Sequence, residues 1–223
     1  MTDSNYQAVL AILNDIEAKG LYQFNKEYYD EKFFINFIEF EKSFTNSFEQ
    51  IIQKIDAFES GKDEIAFFAV YSLMSYINSH LQIFEKFLKI IINPTMIKGG
   101  FDENTPLSQM IRKICNKMQY SEKLKNAIRG LFLVNFRDAI VHQNYLINKN
   151  GTIVTYPKDQ AEGKITLNDL CEDALQVRSM FHAMLDWADN TEKPKVKKTA
   201  LDSAVNDLIH QVNVLDKKLD SLR

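Results

Sequence analysis

The sequence predicts a mainly α-helical fold, and three observations carry that expectation. Hydrophobic residues make up 45% of 223 residues, with 16 Phe among them, so a sizeable core can form. Only seven Gly and four Pro punctuate the chain, too few for a many-stranded fold with its many turns. Apolar residues recur every three or four positions over long stretches, whereas a β-branched run next to a turn signal appears near 152–156. Cys115 and Cys171 lie far apart and match no metal-ligand spacing, so neither a zinc site nor a disulfide framework is expected. The N-terminal MTDSNYQ has no basic and apolar signal pattern. The apolar stretch 65–92 is interrupted by Ser72, Ser75, Asn78, His80, Gln82, Glu85, Lys86 and Lys89, so it reads as a buried helix rather than a membrane span. A cytoplasmic protein with no membrane partner is the expectation.

Taken in order, Asp3 or Ser4 can cap a first helix that buries Val9, Leu10, Leu13 and Ile16 and stops at Gly20. A second helix over 29–59 carries Phe33, Phe37, Phe40, Phe44, Phe48, Ile51, Ile52 and Ile55 on one face, an aromatic stripe suited to a core. Ser60-Gly61 breaks the chain before a third helix, about Asp63 to Ile92, apolar around most of its circumference and therefore central. Asn93-Pro94 ends it, and 95–105 is a loop. Thr105 as N-cap with Pro106 at the first helical position opens a helix burying Leu107, Met110, Ile111, Ile114 and Met118. Ser121 caps the next, whose pattern runs through Ile128, Phe132, Phe136 and Ala139 to Leu146.

Beyond Leu146 the period changes. Asn150-Gly151 before Thr152–Tyr156 is a hairpin signal, with Lys164–Thr166 as a third short strand, giving a β flap at about 147–166. Thr166 and Asp169 form a capping box for a last core helix through Leu170, Ala174, Val177, Phe181 and Leu185 to Trp187. Residues 1–190 thus form one helical domain, 191–199 a polar linker, and 200–223 a helix with Val205, Leu208, Val212, Leu215, Leu219 and Leu222 at heptad spacing, able to dimerise, fold back or recruit a partner.

The helix ending near Leu146 holds the polar cluster of greatest interest. Asp138 and His142, four residues apart, fall about 40° apart on a helix, so Asp138 can orient the imidazole, while Arg137 stands about 140° from His142. Their joint use requires the arginine to bend back or a second subunit to complete the site. Val134, Val141 and Tyr145 form a second apolar stripe beside His142, where another protomer could pack. Seven bases from Arg112 to Arg137 against one acid, Glu122, give this segment +6 in a chain of net −3. Such residues suit RNA phosphodiester cleavage without a metal or other cofactor: His142 moving protons, Arg137 bridging the phosphate, and Lys123, Lys125, Arg129, Lys149, Lys158 and Lys164 holding the backbone. Arg178 and His182 repeat a similar pairing on the last helix and are read, with His80 and His210, as structural or surface residues.

Arg137, Asp138 and His142 resemble the motif of the HEPN (higher eukaryotes and prokaryotes nucleotide-binding) superfamily: an Arg, four to six residues, then His, often with Asn, Asp or His after the Arg. The mostly α bundle over about 1–190, with the motif late in a helix and one further core helix, is also similar. The β flap and the heptad tail depart from the general pattern. The resemblance implies a metal-independent endoribonuclease, acting as a homodimer with a composite site, as in toxin, abortive-infection and CRISPR-associated proteins, with a possible antitoxin or regulatory partner. The rival expectation is a non-catalytic scaffold that binds RNA, a nucleotide or a protein and dimerises through its C-terminal helix.

Overall fold

A computed structural model of the chain describes residues 4–55, 63–148, 153–155 and 163–190. The expected linker 191–199, the heptad segment 200–223, the break at Ser60-Gly61 and the Asn150-Gly151 turn lie outside the described residues. Among those described, helices predominate, joined by one small sheet. The helices are α1 Ser4–Ala18, α2 Glu31–Ile55, α3 Asp63–Ile91, α4 Leu107–Lys117, α5 Glu122–Leu131, α6 Val134–Val141 and α7 Leu167–Asn190. The strands are β1 Tyr145–Ile147, β2 Ile153–Thr155 and β3 Gly163–Ile165. The chain divides into two compact units, one of Met1–Tyr29 with Asp63–Trp187 and the other of Asp30–Lys62 with Ala188–Arg223.

In the first unit, α3 is the hub, contacting α4, α6 and the short turn Lys26–Tyr28. Its burial of Val70, Leu73, Ile77, Leu81, Ile83, Phe84 and Leu88 matches the nearly all-round apolar pattern. The C-terminal end of α3 is closed from a distance. Asn25 Nδ2 donates to the carbonyls of Lys89 (2.8 Å) and Ile92 (2.6 Å), groups the helix itself leaves unpaired. α1 buries Val9, Leu13 and Ile16, and Gly20, at φ +66°, turns the chain out of the helix as only glycine does without strain. Two phenols anchor the bundle's periphery: Tyr6 Oη donates to Asp186 (2.5 Å) and Tyr120 Oη to Asp15 (2.6 Å). At the end of α7, Trp187 packs edge-on against Tyr22 and Phe87.

Two sequence expectations are corrected at this level. Pro106, not Thr105, occupies the N-cap of α4, with Leu107 the first helical residue. Thr105 is used by the loop instead, its hydroxyl donating to Asp102 Oδ1 (2.7 Å) and accepting from the Asp102 amide (3.0 Å). More consequential, 121–146 is not one helix. α5 stops at Leu131, Leu133 takes a left-handed conformation (φ +45°), and α6 restarts at Val134 and ends at Val141. Neither Gly nor Asn marks that break. It is held by tertiary contacts: Phe132 is buried edge-on against Phe84 of α3, and Gln176 of α7 donates to the Leu131 carbonyl (2.8 Å). Leu146 accordingly belongs to β1 and is 58% exposed rather than on a buried helical stripe.

The flap is a three-stranded antiparallel sheet in the order β1-β2-β3, beginning at Tyr145 rather than 147. Leu146 pairs with Val154 and Val154 with Lys164 in the register; Leu146 and Lys164 are exposed, while Tyr145, Ile147 and Ile165 are half-buried. The expected capping box then starts α7: the Thr166 amide donates to Asp169 Oδ2 (2.7 Å) and the Asp169 amide to Thr166 Oγ1 (3.2 Å).

The second unit holds α2. Asp30 Oδ1 accepts from the Phe33 amide (3.2 Å) at its start, and the rings of Phe37, Phe40 and Phe44 follow one another at about 6 Å along the predicted stripe.

Candidate active site

α6 is only eight residues long, and its placement after the Leu133 break decides what the motif residues touch. Phe136 and Ala139 are buried with Val134. Arg137 is buried as well, at 8% exposure, because its side chain runs inward to α3. There its Nη2 donates to Glu85 Oε2 at 2.5 Å. Sequence reasoning missed Glu85, and the signal was present: Glu85 and Lys89, four apart, are charges inside a helix apolar nearly all round.

The environment of Glu85 is fully partnered. Lys89 Nζ donates to Oε1 (3.0 Å), and the Leu107 amide, at the first turn of α4, donates to Oε2 (3.0 Å) alongside Arg137. Glu85 thus caps α4 from another helix, where Pro106 supplies no side-chain acceptor of its own, and its charge faces the positive end of that helix. Lys89 also donates to the Glu103 carbonyl (2.8 Å), tying the loop before α4 to the same cluster. Arg137, Lys89 and Glu85 together carry two positive charges and one negative, an interior excess of +1. Asp138 offsets it only from the edge, its Oδ1 3.6 Å from Arg137 Nη1 with the side chain 41% exposed. Arg137 Nε is buried without a hydrogen-bond partner.

His142 stands apart from that cluster. It is the C-cap of α6, exposed, and its backbone amide donates to the Asp138 carbonyl (3.1 Å). Gln143 follows in the left-handed region (φ +54°), and the Asn144 amide returns to the Ala139 carbonyl (2.8 Å), completing a Schellman turn. Asp138 does not hold the imidazole within the chain; its carboxylate lies against Arg137 instead. The second apolar stripe is also altered. Val134 is buried, whereas Val141 (48% exposed) and Leu146 flank His142 at the surface, with Tyr145 half-buried.

Of the expected RNA-binding residues, Lys123 and Arg129 are exposed on α5 and Lys164 is exposed on β3. Lys125 is half-buried and paired with Glu122 (2.7 Å). Lys149 and Lys158 lie outside the described residues, as does His210. Lys113 is engaged elsewhere, donating to the carbonyls of Gly99 (3.2 Å) and Gly100 (2.7 Å). His80 is fully buried, its Nδ1 3.0 Å from the Tyr76 carbonyl and its ring against Tyr76 and Phe181, a structural histidine. Arg178 is buried on α7 and His182 half-buried. Both cysteines are free, and burial pushes each thiol up, Cys171 to about 11, so neither is poised as a thiolate nucleophile. Among the described residues no three His, Cys, Asp or Glu side chains come together as a metal-ligand set, and no helix is long and apolar enough to cross a membrane.

Compared with protein-family models, with curated proteins and with solved structures, the chain matches none of them.

Proposed function

We propose that this chain is a metal-independent endoribonuclease of HEPN type, in which Arg137 and His142 are catalytic and Asp138 stands between them. The observation that carries the reading is the juxtaposition on one short helix of a buried guanidinium in a cluster of excess positive charge and an exposed imidazole five residues later. The 2′-hydroxyl attacks phosphorus, the bond to the 5′-oxygen breaks, and a 2′,3′-cyclic phosphate and a 5′-hydroxyl result. One proton leaves the nucleophile and one reaches the leaving group, on opposite sides of the phosphorus. A single His142 cannot stand on both sides, so the reaction calls for a second proton-transfer group, and a homodimer would bring a second imidazole. The exposed Val141 and Leu146 beside His142 provide the apolar surface for such a partner. Arg137 neutralises the charge that develops on the phosphate oxygens, and Lys123, Arg129 and Lys164, with Lys149 and Lys158, steer the strand. Such an enzyme fits a cytoplasmic role in anti-phage defence or toxin-antitoxin growth arrest, held in check by an antitoxin or regulatory partner.

The second reading, a non-catalytic RNA-, nucleotide- or protein-binding scaffold dimerising through 200–223, is favoured by one observation: Arg137 is already engaged by Glu85, as in a purely structural ion pair. One experiment separates them. Purified protein is incubated with total RNA and tRNA in EDTA, beside an Arg137→Ala, His142→Ala double variant. Cleavage leaving 2′,3′-cyclic phosphate ends only with the wild type is expected; equal cleavage by both proteins, or none by either, overturns the ribonuclease reading.

A further inference from the structure

Glu85 satisfies more donors than an ion pair with Arg137 needs. Its Oε2 accepts from two, Arg137 Nη2 at 2.5 Å and the Leu107 amide at 3.0 Å, while Oε1 accepts from Lys89 at 3.0 Å. Were Arg137 withdrawn, both oxygens would keep a partner and the charge would keep its counter-ion, so departure leaves no bare buried carboxylate. Arg137, for its part, is under-used: Nη2 is taken, Nη1 has only Asp138 at 3.6 Å, and Nε has no hydrogen bond. A guanidinium satisfied by a phosphate ordinarily donates through two nitrogens at once. Asp138, beside Nη1, is 41% exposed, whereas Glu85, on Nη2, is 17% exposed.

From this asymmetry we infer that Glu85 is a resident stand-in for the substrate phosphate: Arg137 rests on Glu85 and exchanges onto an RNA phosphodiester, while Lys89 and the Leu107 amide hold Glu85 in place. Glu85 is then a positioning residue. It aims Arg137 in the empty protein and opposes RNA binding by competing for it. This deepens the ribonuclease reading and rests on it for the identity of the anion.

The test uses the full chain in four forms, wild type, Glu85→Gln, Arg137→Ala and the double variant. Binding of a 2′-O-methyl RNA, which cannot be cleaved, is followed by fluorescence anisotropy over a range of KCl, and cleavage of the same 2′-hydroxyl sequence is measured with protein in excess. Removing the competing carboxylate is expected to tighten binding at least threefold and steepen the salt dependence, by a slope of up to about 0.7 for one added phosphate contact. Cleavage of bound RNA is expected to stay within about threefold of the wild type, because in the complex Arg137 has left Glu85 for the phosphate. The gain in binding must vanish in the Arg137→Ala background. A gain of equal size with and without Arg137 is a distant field effect and overturns the exchange, as does no gain at all. Should Glu85→Gln fail to fold by circular dichroism, Lys89→Gln takes its place. It leaves Glu85 without a second cation once Arg137 departs, so binding is expected to weaken at least threefold with Arg137 present and to change less without it; equal weakening overturns the proposal. Arg137-dependent tightening with no cleavage by any form keeps the exchange and overturns the ribonuclease reading. Cleavage without that coupling does the reverse, and absence of RNA binding by every form overturns both.

Discussion

Arg137→Ala and His142→Ala are expected to differ sharply in stability, although on the proposed ribonuclease reading both abolish cleavage. Arg137 is 8% exposed and donates a charged hydrogen bond to Glu85. A buried pair broken so as to leave one charge bare costs about 3–5 kcal/mol. Here Glu85 retains Lys89 and the Leu107 amide, so the loss is nearer that of one hydrogen bond to a charged group, about 2 kcal/mol. For a chain of this size that corresponds to a fall in Tm of about 4–8 °C. The His142 side chain is exposed, and its truncation is expected to change stability by less than about 0.5 kcal/mol. Urea unfolding of the three proteins at one fixed concentration, with far-ultraviolet circular dichroism as the probe, measures both values, and the m-value should be unchanged. A neutral Arg137→Ala, or a His142→Ala as destabilised as it, would refute the assignment of Arg137 to the interior cluster and His142 to the surface. The contrast has a practical side: loss of activity in His142→Ala reports on chemistry alone.

Asp173 on α7 has its carboxyl pushed up to about 6 by burial, with Asp169 and Glu172 adding to it. Since the folded state binds this proton more tightly than the unfolded state, the penalty is absent below about pH 4, where both are protonated, and complete above about pH 6. Asp173→Asn should therefore raise Tm at pH 7.5 and show no advantage at pH 4; an unchanged difference between the two melting scans would contradict this. Gln119 lies at φ +56° at the C-terminal end of α4, where the Tyr120 amide bonds the Cys115 carbonyl (3.2 Å) in a second Schellman turn. Gln119→Gly is expected to stabilise by about 0.5–1 kcal/mol in urea titrations, without effect on any RNA activity. On the proposed RNA-cleaving reading, Lys123→Ala and Arg129→Ala, on the exposed face of α5, should weaken RNA binding for all sequences alike and each reduce the slope of log affinity against log salt by up to about 0.7, with catalysis of bound RNA unchanged. A sequence-dependent loss would instead place those residues at base edges.

Local signals were readable because their causes are local. The Ser121 cap, whose Oγ accepts from the Leu124 amide (3.3 Å), and the Thr166–Asp169 box involve groups three residues apart, and a linear pattern contains both partners. The buried periodicity of α1, α3 and α4 follows equally from one helix presenting one face. The interruption at Leu133 was invisible for the opposite reason. Leucine is an unfavourable residue for a left-handed position, and it is held there by Phe84 packing on Phe132 and by Gln176 bonding the end of α5.

The sequence alone therefore determined a helical class, the Ser121 cap and the Thr166–Asp169 box, and Arg137, Asp138 and His142 as the polar residues of interest. Only the tertiary structure decided what they touch within the chain. It sends Arg137 inward to Glu85, 52 residues away in sequence, gives Asp138 to Arg137 rather than to His142, and leaves His142 at a helix end in solvent. A charge in a helical pattern reads as a surface charge until another helix supplies its partner. Partners so distant are fixed by how α3, α4 and α6 pack, which no spacing along the chain expresses.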